Sequence, residues 1–202
     1  LNIKFLGIPI EQGYNEYVEF KKSLIKLGID LEKLIDEKEK ELIDNGAHMV
    51  KLEGGVENTD VINALVSNNI RVCGHLGLQP QLVVDSSGYK VQGRGEADAQ
   101  SILDNAMLLE SIGVSILVLE CIPSNLAKLI TKKLKIPTIG IGAGKDCDGQ
   151  VLVSYDMLGI TLGRQPRFVR NFLSSESSIS SAIKAFVSEV KEGSFPNKSE
   201  SY

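Results

Sequence analysis

The chain has 202 residues, of which 43% are hydrophobic, and this is enough apolar material for one domain with a core. Its formal net charge is −4, so it has no excess of basic residues to attract a polyphosphate, and nucleic-acid binding is disfavoured. No apolar run approaches the about 20 residues that cross a bilayer, and residues 1–9 lack the basic region and cleavage site of a signal peptide. The three cysteines show no C-x-x-C spacing, which argues against a disulfide framework and a zinc site. These features predict a cytoplasmic protein that acts on a small molecule, without a membrane partner.

The first 45 residues differ from the rest of the chain. Residues 3–10 are compatible with a strand, whereas residues 14–45 are rich in Lys, Glu and Leu and predict one or two helices. The charge cluster at residues 36–40 is typical of a solvated helix face. We therefore predict a single domain over residues 1–202 with a divergent, helix-rich segment at residues 1–45.

From residue 49 onward, short apolar runs alternate with helix-length segments, which is typical of βα units around a parallel sheet. The predicted strands are residues 48–53, 70–75, 115–120 and 137–142. The predicted helices between them are residues 58–68, 97–112 and 124–134, and a last helix is predicted over residues 177–192, before a loosely ordered polar tail. A closed (β/α)8 barrel needs about 250 residues, so either an open α/β sheet or a barrel that lacks units at its front is compatible with this length.

Ionisable residues stand near the ends of three predicted strands. Lys51 and Glu53 are two residues apart on a strand, so they point to the same side, and the next two strands end in His75 and Glu120. The carboxyl ends of parallel strands face the ligand site in α/β folds, and a buried carboxylate such as Glu120 needs a partner or a metal. The structural alternatives are an interior Lys51–Glu53 ion pair and a hydrogen-bonded structural histidine. We interpret the four residues as a candidate active site.

Several longer segments resemble the ketopantoate hydroxymethyltransferase family and occur in the family's order. They are residues 46–55 (GAHMVKLEGG), 72–81 (VCGHLGLQPQ), 88–94 (GYKVQGR), 117–123 (LVLECIP), 136–144 (IPTIGIGAG), 148–153 (DGQVLV) and 166–172 (PRFVRNF). The resemblance covers residues 46–202. It implies a (β/α)8 TIM-barrel fold of the phosphoenolpyruvate-mutase superfamily, incomplete at the N-terminal side, and assembly into a large ring-like homo-oligomer.

The resemblance also implies a reaction and a role for each candidate residue. Family members transfer a hydroxymethyl group from 5,10-methylenetetrahydrofolate to 3-methyl-2-oxobutanoate, forming 2-dehydropantoate (ketopantoate) in pantothenate biosynthesis, and they require Mg²⁺. Glu53 stands where the family has a metal-site carboxylate, and Glu120 stands where it has the proton acceptor. Lys51 matches a substrate-binding lysine, and His75 matches a histidine near the bound oxo acid.

Two metal-binding aspartates of the family pattern have no counterpart in this sequence. The family places one in a Gly-Asp-Ser turn, which does not occur here, and one in an Asp-Leu-Pro-Phe segment, where this chain has Gly7. Magnesium is therefore predicted to rely on Glu53, water and substrate. The open interpretations are an active transferase, an incomplete gene product, a catalytically weakened homologue that acts as a non-enzymatic assembly subunit, and a carbon–carbon lyase of the same superfamily.

Overall fold

The computed structural model describes residues 41, 43–79, 90–163 and 165–202. The strand predicted over residues 3–10 lies outside the described residues, as do Gly7 and all but the end of the helical stretch predicted over residues 14–45. At that end, Ile43 and Asp44 are helical and lead towards the first described strand.

Five parallel strands form the described sheet. They are β1 (Val50–Glu53), β2 (Val72–Gly77), β3 (Ile116–Glu120), β4 (Thr138–Ile141) and β5 (Gly149–Gln150). Their order in the sheet follows the chain without reversal. Doubly wound sheets reverse their order at a switch point, so the observed order agrees with βα units of the barrel type. The fold is thus α/β with a parallel sheet, and the described strands do not by themselves make a complete barrel.

The observed strands largely agree with the prediction. The first four confirm the predicted ones, although β2 continues two residues beyond His75, to Gly77. The fifth strand was not among the predicted ones. A two-residue strand is too short to show any alternation of apolar and polar residues, so the sequence carries no signal for it.

Of the described helices, three connect successive strands from β1 to β4, and two more follow β5. They are α1 (Thr59–Ser67), α2 (Glu96–Ser111), α3 (Ser124–Lys133), α4 (Ser154–Met157) and α5 (Ile179–Glu192), with short 3₁₀ segments at Val56–Asn58, Phe172–Ser175 and Lys198–Glu200. The ends of α1, α2, α3 and α5 agree with the predicted helices to within about two residues, the usual uncertainty of helix ends. In the part of the chain that the structure covers, no helix combines the length and apolar character that a membrane crossing requires.

The alternation of side chains along the strands separates the core from the candidate site. Val50 and Val72 share one face of the sheet with Leu117 and Leu119, and this face packs against the helices. The buried helical residues that meet it include Ile62, Leu65, Leu109 and Ile130. Since successive side chains point to opposite faces, Lys51, Glu53, His75 and Glu120 lie on the other face.

A second apolar cluster surrounds Phe172 and includes the C-terminal tail. The rings of Phe172 and Phe195 meet edge to face with centroids 5.3 Å apart, and Phe195 is only 3% exposed. The carbonyl oxygen of Tyr202 accepts hydrogen bonds from the amide and the hydroxyl of Ser124 at 2.8 and 2.7 Å. The prediction of a loosely ordered tail is therefore wrong. It was based on the tail's polar composition, which does not reveal contacts to distant residues.

Arg170 ties the same tail to the domain. Its guanidinium donates to both carboxylate oxygens of Glu200 at 2.6 and 2.8 Å and also pairs with Glu189. Its carbon Cζ lies 5.0 Å from the ring centroids of Phe172 and Phe195, within cation–π range. Burial alone raises the pKa of Glu200, but the hydrogen bonds from Arg170 outweigh it and hold that pKa below the ordinary value of 4.5.

Replacing Glu200 should make part of the protein's acid sensitivity disappear. A carboxyl group whose pKa is lower in the folded state than in the unfolded state stabilises the fold at pH values above its unfolded-state pKa. That contribution is lost as the pH falls through the folded-state pKa. Glu200→Gln should lower the free energy of unfolding by roughly 1–3 kcal/mol near neutral pH. The difference from the wild type should shrink once the pH falls below about 4.5. Urea unfolding across this pH range measures both effects. Glu192→Gln, at an exposed position of α5, is the control and should change little. If the unfolding free energies of the wild type and Glu200→Gln differ by the same amount at every pH, the lowered pKa of Glu200 is contradicted.

Candidate active site

Strand β1 presents a cation and an anion on the site face. Lys51 Nζ lies 3.3 Å from Glu53 Oε1, and the side chains are 46% and 18% exposed. The end of the strand is held by Asn58, whose side-chain amide donates to the backbone oxygen of Glu53 at 2.7 Å. The Glu53 carboxylate therefore sits at a braced strand end, with the lysine reaching from it towards solvent.

His75 lies opposite Glu53 on the neighbouring strand, because the two are paired in the parallel register of β1 and β2. The sequence predicted His75 at the end of its strand, but it lies within β2, two residues before the end. Its side chain is 1% exposed. Nδ1 is 3.3 Å from Glu53 Oε1 and Nε2 is 3.0 Å from Glu120 Oε2. Both distances suit ion pairs, yet neither ring N–H points at its oxygen closely enough for a hydrogen bond. The imidazole is thus packed between two carboxylates, with one ring nitrogen facing each.

Glu120 ends β3 and points to the same space. The register places it between Gly77 of β2 and Ile141 of β4, and its side chain is 11% exposed. A carboxylate so shielded from water is stable as an anion only beside a compensating charge, and His75 is placed to supply it. Glu53 and Glu120 consequently lie against opposite nitrogens of the same imidazole ring.

The charges of this group support one another. Burial alone raises the pKa of Glu53, but His75 and Lys51 outweigh it, so the pKa is lowered and the carboxylate is ionised at neutral pH. Burial alone lowers the pKa of His75, but Glu120 and Glu53 outweigh it, so the pKa is raised and the imidazolium is favoured. The group thus alternates basic and acidic side chains, and Lys51 is the most accessible of the four.

The structure brings all four predicted residues together, and their individual roles remain predictions. Sequence reasoning missed two residues that shape the group. Asn58 was assigned only as the start of a helix, and Gly77, which lies against the backbone of Glu120, was outside the predicted strand. A glycine two residues after a strand histidine does not by itself indicate a role in the site, because the residue that Gly77 contacts, Glu120, is distant in sequence.

Glu53 fits a magnesium ion as a single protein ligand. Among the described residues, no three acidic, histidine or cysteine side chains form a group that could hold a metal. The contacts to Lys51 and His75 both use Oε1 of Glu53, so Oε2 is the oxygen that can face a cation. Mg²⁺ often binds through one or two carboxylates and takes its other ligands from water and substrate. The oxygen donor present here suits that pattern of coordination.

The chain is similar to proteins of one enzyme family. A family model described as ketopantoate hydroxymethyltransferase matches residues 31–198, so the match begins before residue 46, where the resemblance was first noted. A protein named 3-methyl-2-oxobutanoate hydroxymethyltransferase from Vesicomyosocius okutanii is 56% identical over 163 residues, which are 81% of this chain and 63% of that relative.

Further relatives carry the same name. The protein from Buchnera aphidicola of Schizaphis graminum is 51% identical over 161 residues, which are 80% of this chain and 61% of the relative. The protein from Pseudomonas fluorescens is 53% identical over 156 residues, which are 77% of this chain and 59% of the relative. The chain thus spans about three fifths of the length of these relatives. The extent of the family match and the level of these identities show that the chain belongs to the ketopantoate hydroxymethyltransferase family.

Proposed function

We propose that this chain transfers a hydroxymethyl group from 5,10-methylenetetrahydrofolate to 3-methyl-2-oxobutanoate, which gives 2-dehydropantoate for pantothenate biosynthesis. The observation that carries the proposal is the placement of Glu53 and Glu120 on opposite sides of His75, with Lys51 beside them. The names of relatives at 51–56% identity support the same reaction.

Glu120 is the proposed base. Its carboxylate takes the proton from carbon 3 of the oxo acid, and the electron pair of that bond moves towards the 2-oxo group, giving an enolate. Water hydrolyses the one-carbon unit from the folate, so that both of its carbon–nitrogen bonds break, each folate nitrogen gains a proton from that water, and the carbon is released as formaldehyde. Carbon 3 of the enolate then bonds to this carbon, and the resulting alkoxide takes the proton that Glu120 holds to become the hydroxyl. A carboxylate held away from bulk water is suited to the first step, because it is poorly solvated and fixed in position.

Lys51 and His75 are proposed to contribute to the oxo-acid site in different ways. The Lys51 ammonium is the accessible cation of the group and can approach the negative charge that develops on the substrate. The His75 ring is buried, so its influence on the substrate acts through the two carboxylates that it separates. Together they keep the cluster close to neutral when an anionic substrate enters.

Glu53 is the proposed protein ligand of Mg²⁺. When bound, the ion would supply Lewis-acid polarisation of the substrate's 2-oxo group. The residue's own contribution is an ionised oxygen donor, held at the end of β1 by Asn58 and neutralised in part by Lys51. Glu53 carries no proton at neutral pH, as a cation ligand requires.

Replacing Glu120 should stop proton removal while substrate binding persists. Glu120→Gln should slow hydrogen–deuterium exchange at carbon 3 of 3-methyl-2-oxobutanoate by about 10²- to 10⁴-fold, the usual range for loss of a general base. The exchange is followed by proton NMR in D₂O with magnesium and without folate, so only the first step is observed. Glu192→Gln, exposed on α5, is the matched control and should exchange like the wild type.

The same assay separates the alternative functions. A wild-type chain that shows no exchange above background would favour a non-enzymatic assembly subunit. Cleavage of an oxaloacetate-like substrate in the absence of folate would favour a carbon–carbon lyase. Exchange by Glu120→Gln at the wild-type rate would exclude Glu120 as the base.

Loss of the Glu53 carboxylate should weaken magnesium binding. Glu53→Gln should raise the dissociation constant for Mg²⁺, measured calorimetrically in the presence of the oxo acid, by about tenfold or more, because an anionic ligand is replaced by a neutral amide. Asp146→Asn removes a carboxylate that pairs with Lys128 at the surface and serves as the control. Equal affinities of wild type and Glu53→Gln would show that the ion is held elsewhere.

We also propose that copies of the chain associate in the cytoplasm. The free state of all three cysteines supports a reducing compartment. Helix α5 exposes an apolar stripe of Ile179, Ile183 and Val187, which are 55%, 44% and 42% exposed and lie four residues apart. Exposed apolar stripes of this kind mark association surfaces.

A charge in that stripe should disrupt association. Ile183→Glu should reduce the molar mass measured by light scattering, since the new carboxylate would have to be buried without a partner. Lys184→Glu, at the next exposed position of the helix, is the control and should keep the wild-type mass. An unchanged mass for Ile183→Glu would place the contact on another surface.

A further inference from the structure

The backbone turns sharply directly after Glu120. Cys121 has a φ of +49°, in the left-handed region that residues other than glycine seldom adopt, and it is 0% exposed. Such conformations persist only where the surroundings impose them. The turn is therefore a property of the tertiary structure around the proposed base, and it begins at the residue that follows that base.

Three backbone hydrogen bonds hold this turn. Glu120 C=O accepts from Leu78 N–H, Cys121 N–H donates to Ile141 C=O, and Cys121 C=O accepts from Gln92 N–H, each at 2.9 Å. The three partners follow β2, end β4 and precede α2, respectively. The two peptides that flank Cys121 are thus tied to three separate parts of the fold.

Gly77 forms the floor of the turn. It has a φ of +97°, and a Cβ atom at this position would lie 2.1 Å from the backbone oxygen of Glu120 and 2.8 Å from Ile122 Cγ2. The nearer of these atoms belongs to the backbone and cannot be moved aside by a change of rotamer. Any side chain at residue 77 must therefore displace the Glu120 peptide itself.

The Cys121 thiol has no evident chemical task. It packs in the apolar cluster around Phe172 together with Leu78 and Ile141. Burial, and secondly the charge of Glu120, raise the pKa of this thiol to about 12, so it stays protonated and is a poor nucleophile. What Cys121 contributes is its backbone conformation and a small apolar side chain.

We propose that Gly77 and Cys121 are positioning residues for Glu120: the left-handed turn at Cys121, seated on Gly77, directs the Glu120 carboxylate to its place 3.0 Å from His75. This inference rests on the proposed function and extends it, because it assigns the groups that aim the base. Displacement of a reacting group by about 1 Å can cost two orders of magnitude in rate, so a shifted Glu120 peptide should be visible in catalysis.

The first test compares two glycines with the same backbone conformation. Gly77→Ala should lower the rate constant of carbon-3 exchange at saturating oxo acid by about tenfold or more, with the KM changed by less than about twofold. Gly113 has a φ of +98°, and a Cβ there would meet Val66 Cγ1 at 2.8 Å, in the turn that precedes β3. Gly113→Ala should lose stability through similar strain, measured by urea unfolding, and still exchange like the wild type.

A second pair keeps the test decisive if Gly77→Ala fails to fold. Valine is β-branched and strongly disfavours the left-handed region, whereas glycine enters it freely. Cys121→Val should therefore lower the exchange rate constant, and Cys121→Gly should recover it relative to Cys121→Val. Equal losses of exchange for Gly77→Ala and Gly113→Ala, or wild-type exchange by Cys121→Val, would overturn the inference. If the wild type itself shows no exchange, the proposed function is contradicted instead.

Discussion

The ion cluster centred on His75 is the constraint on which the candidate site depends. A ring that is 1% exposed lies within 3.3 Å of one carboxylate and 3.0 Å of another, and each of these carboxylates is itself largely shielded from water. Burial alone would disfavour every one of these charges, so each is stable because the others are present. Removing either carboxylate would leave His75 with one fewer compensating charge, which explains why these ionisable groups occur together on this face of the sheet.

The parallel sheet satisfies this constraint through register. Glu53 pairs with His75 across β1 and β2, and Glu120 pairs with Gly77, two residues further along β2. Because that offset is two residues, all three side chains stay on one face while the apolar residues between them face the helices. A register shift of one residue would turn the charges of a strand into the helix-facing core. Core packing and site geometry are therefore set by the same pairing of strands.

The C-terminal part of the chain reinforces the end of β3. The cluster around Phe172 includes Cys121 and Ile141, whose backbones are joined by a hydrogen bond next to Glu120. The tail is secured by the Arg170–Glu200 pair, and Tyr202 accepts two hydrogen bonds from Ser124 at the start of α3. The proposed base thus sits where the sheet, the segment before α2 and the C-terminal cluster meet. Rigidity at this point suits a carboxylate that must hold one orientation.

The sequence by itself determined the elements and the identity of the candidate residues. Short apolar runs between helix-length segments predicted β1 to β4, and three- and four-residue spacing predicted α1, α2, α3 and α5. Ionisable residues near strand ends singled out Lys51, Glu53, His75 and Glu120. These signals depend on residues that are close together in the sequence, so they can be identified from the sequence alone. Only the tertiary structure decided that His75 separates two carboxylates, that the tail is packed, and that Gly77 supports the turn at Cys121. Each of these features joins residues that are distant along the chain, such as Ser124 with Tyr202, and their contact depends on how the strands and helices pack together.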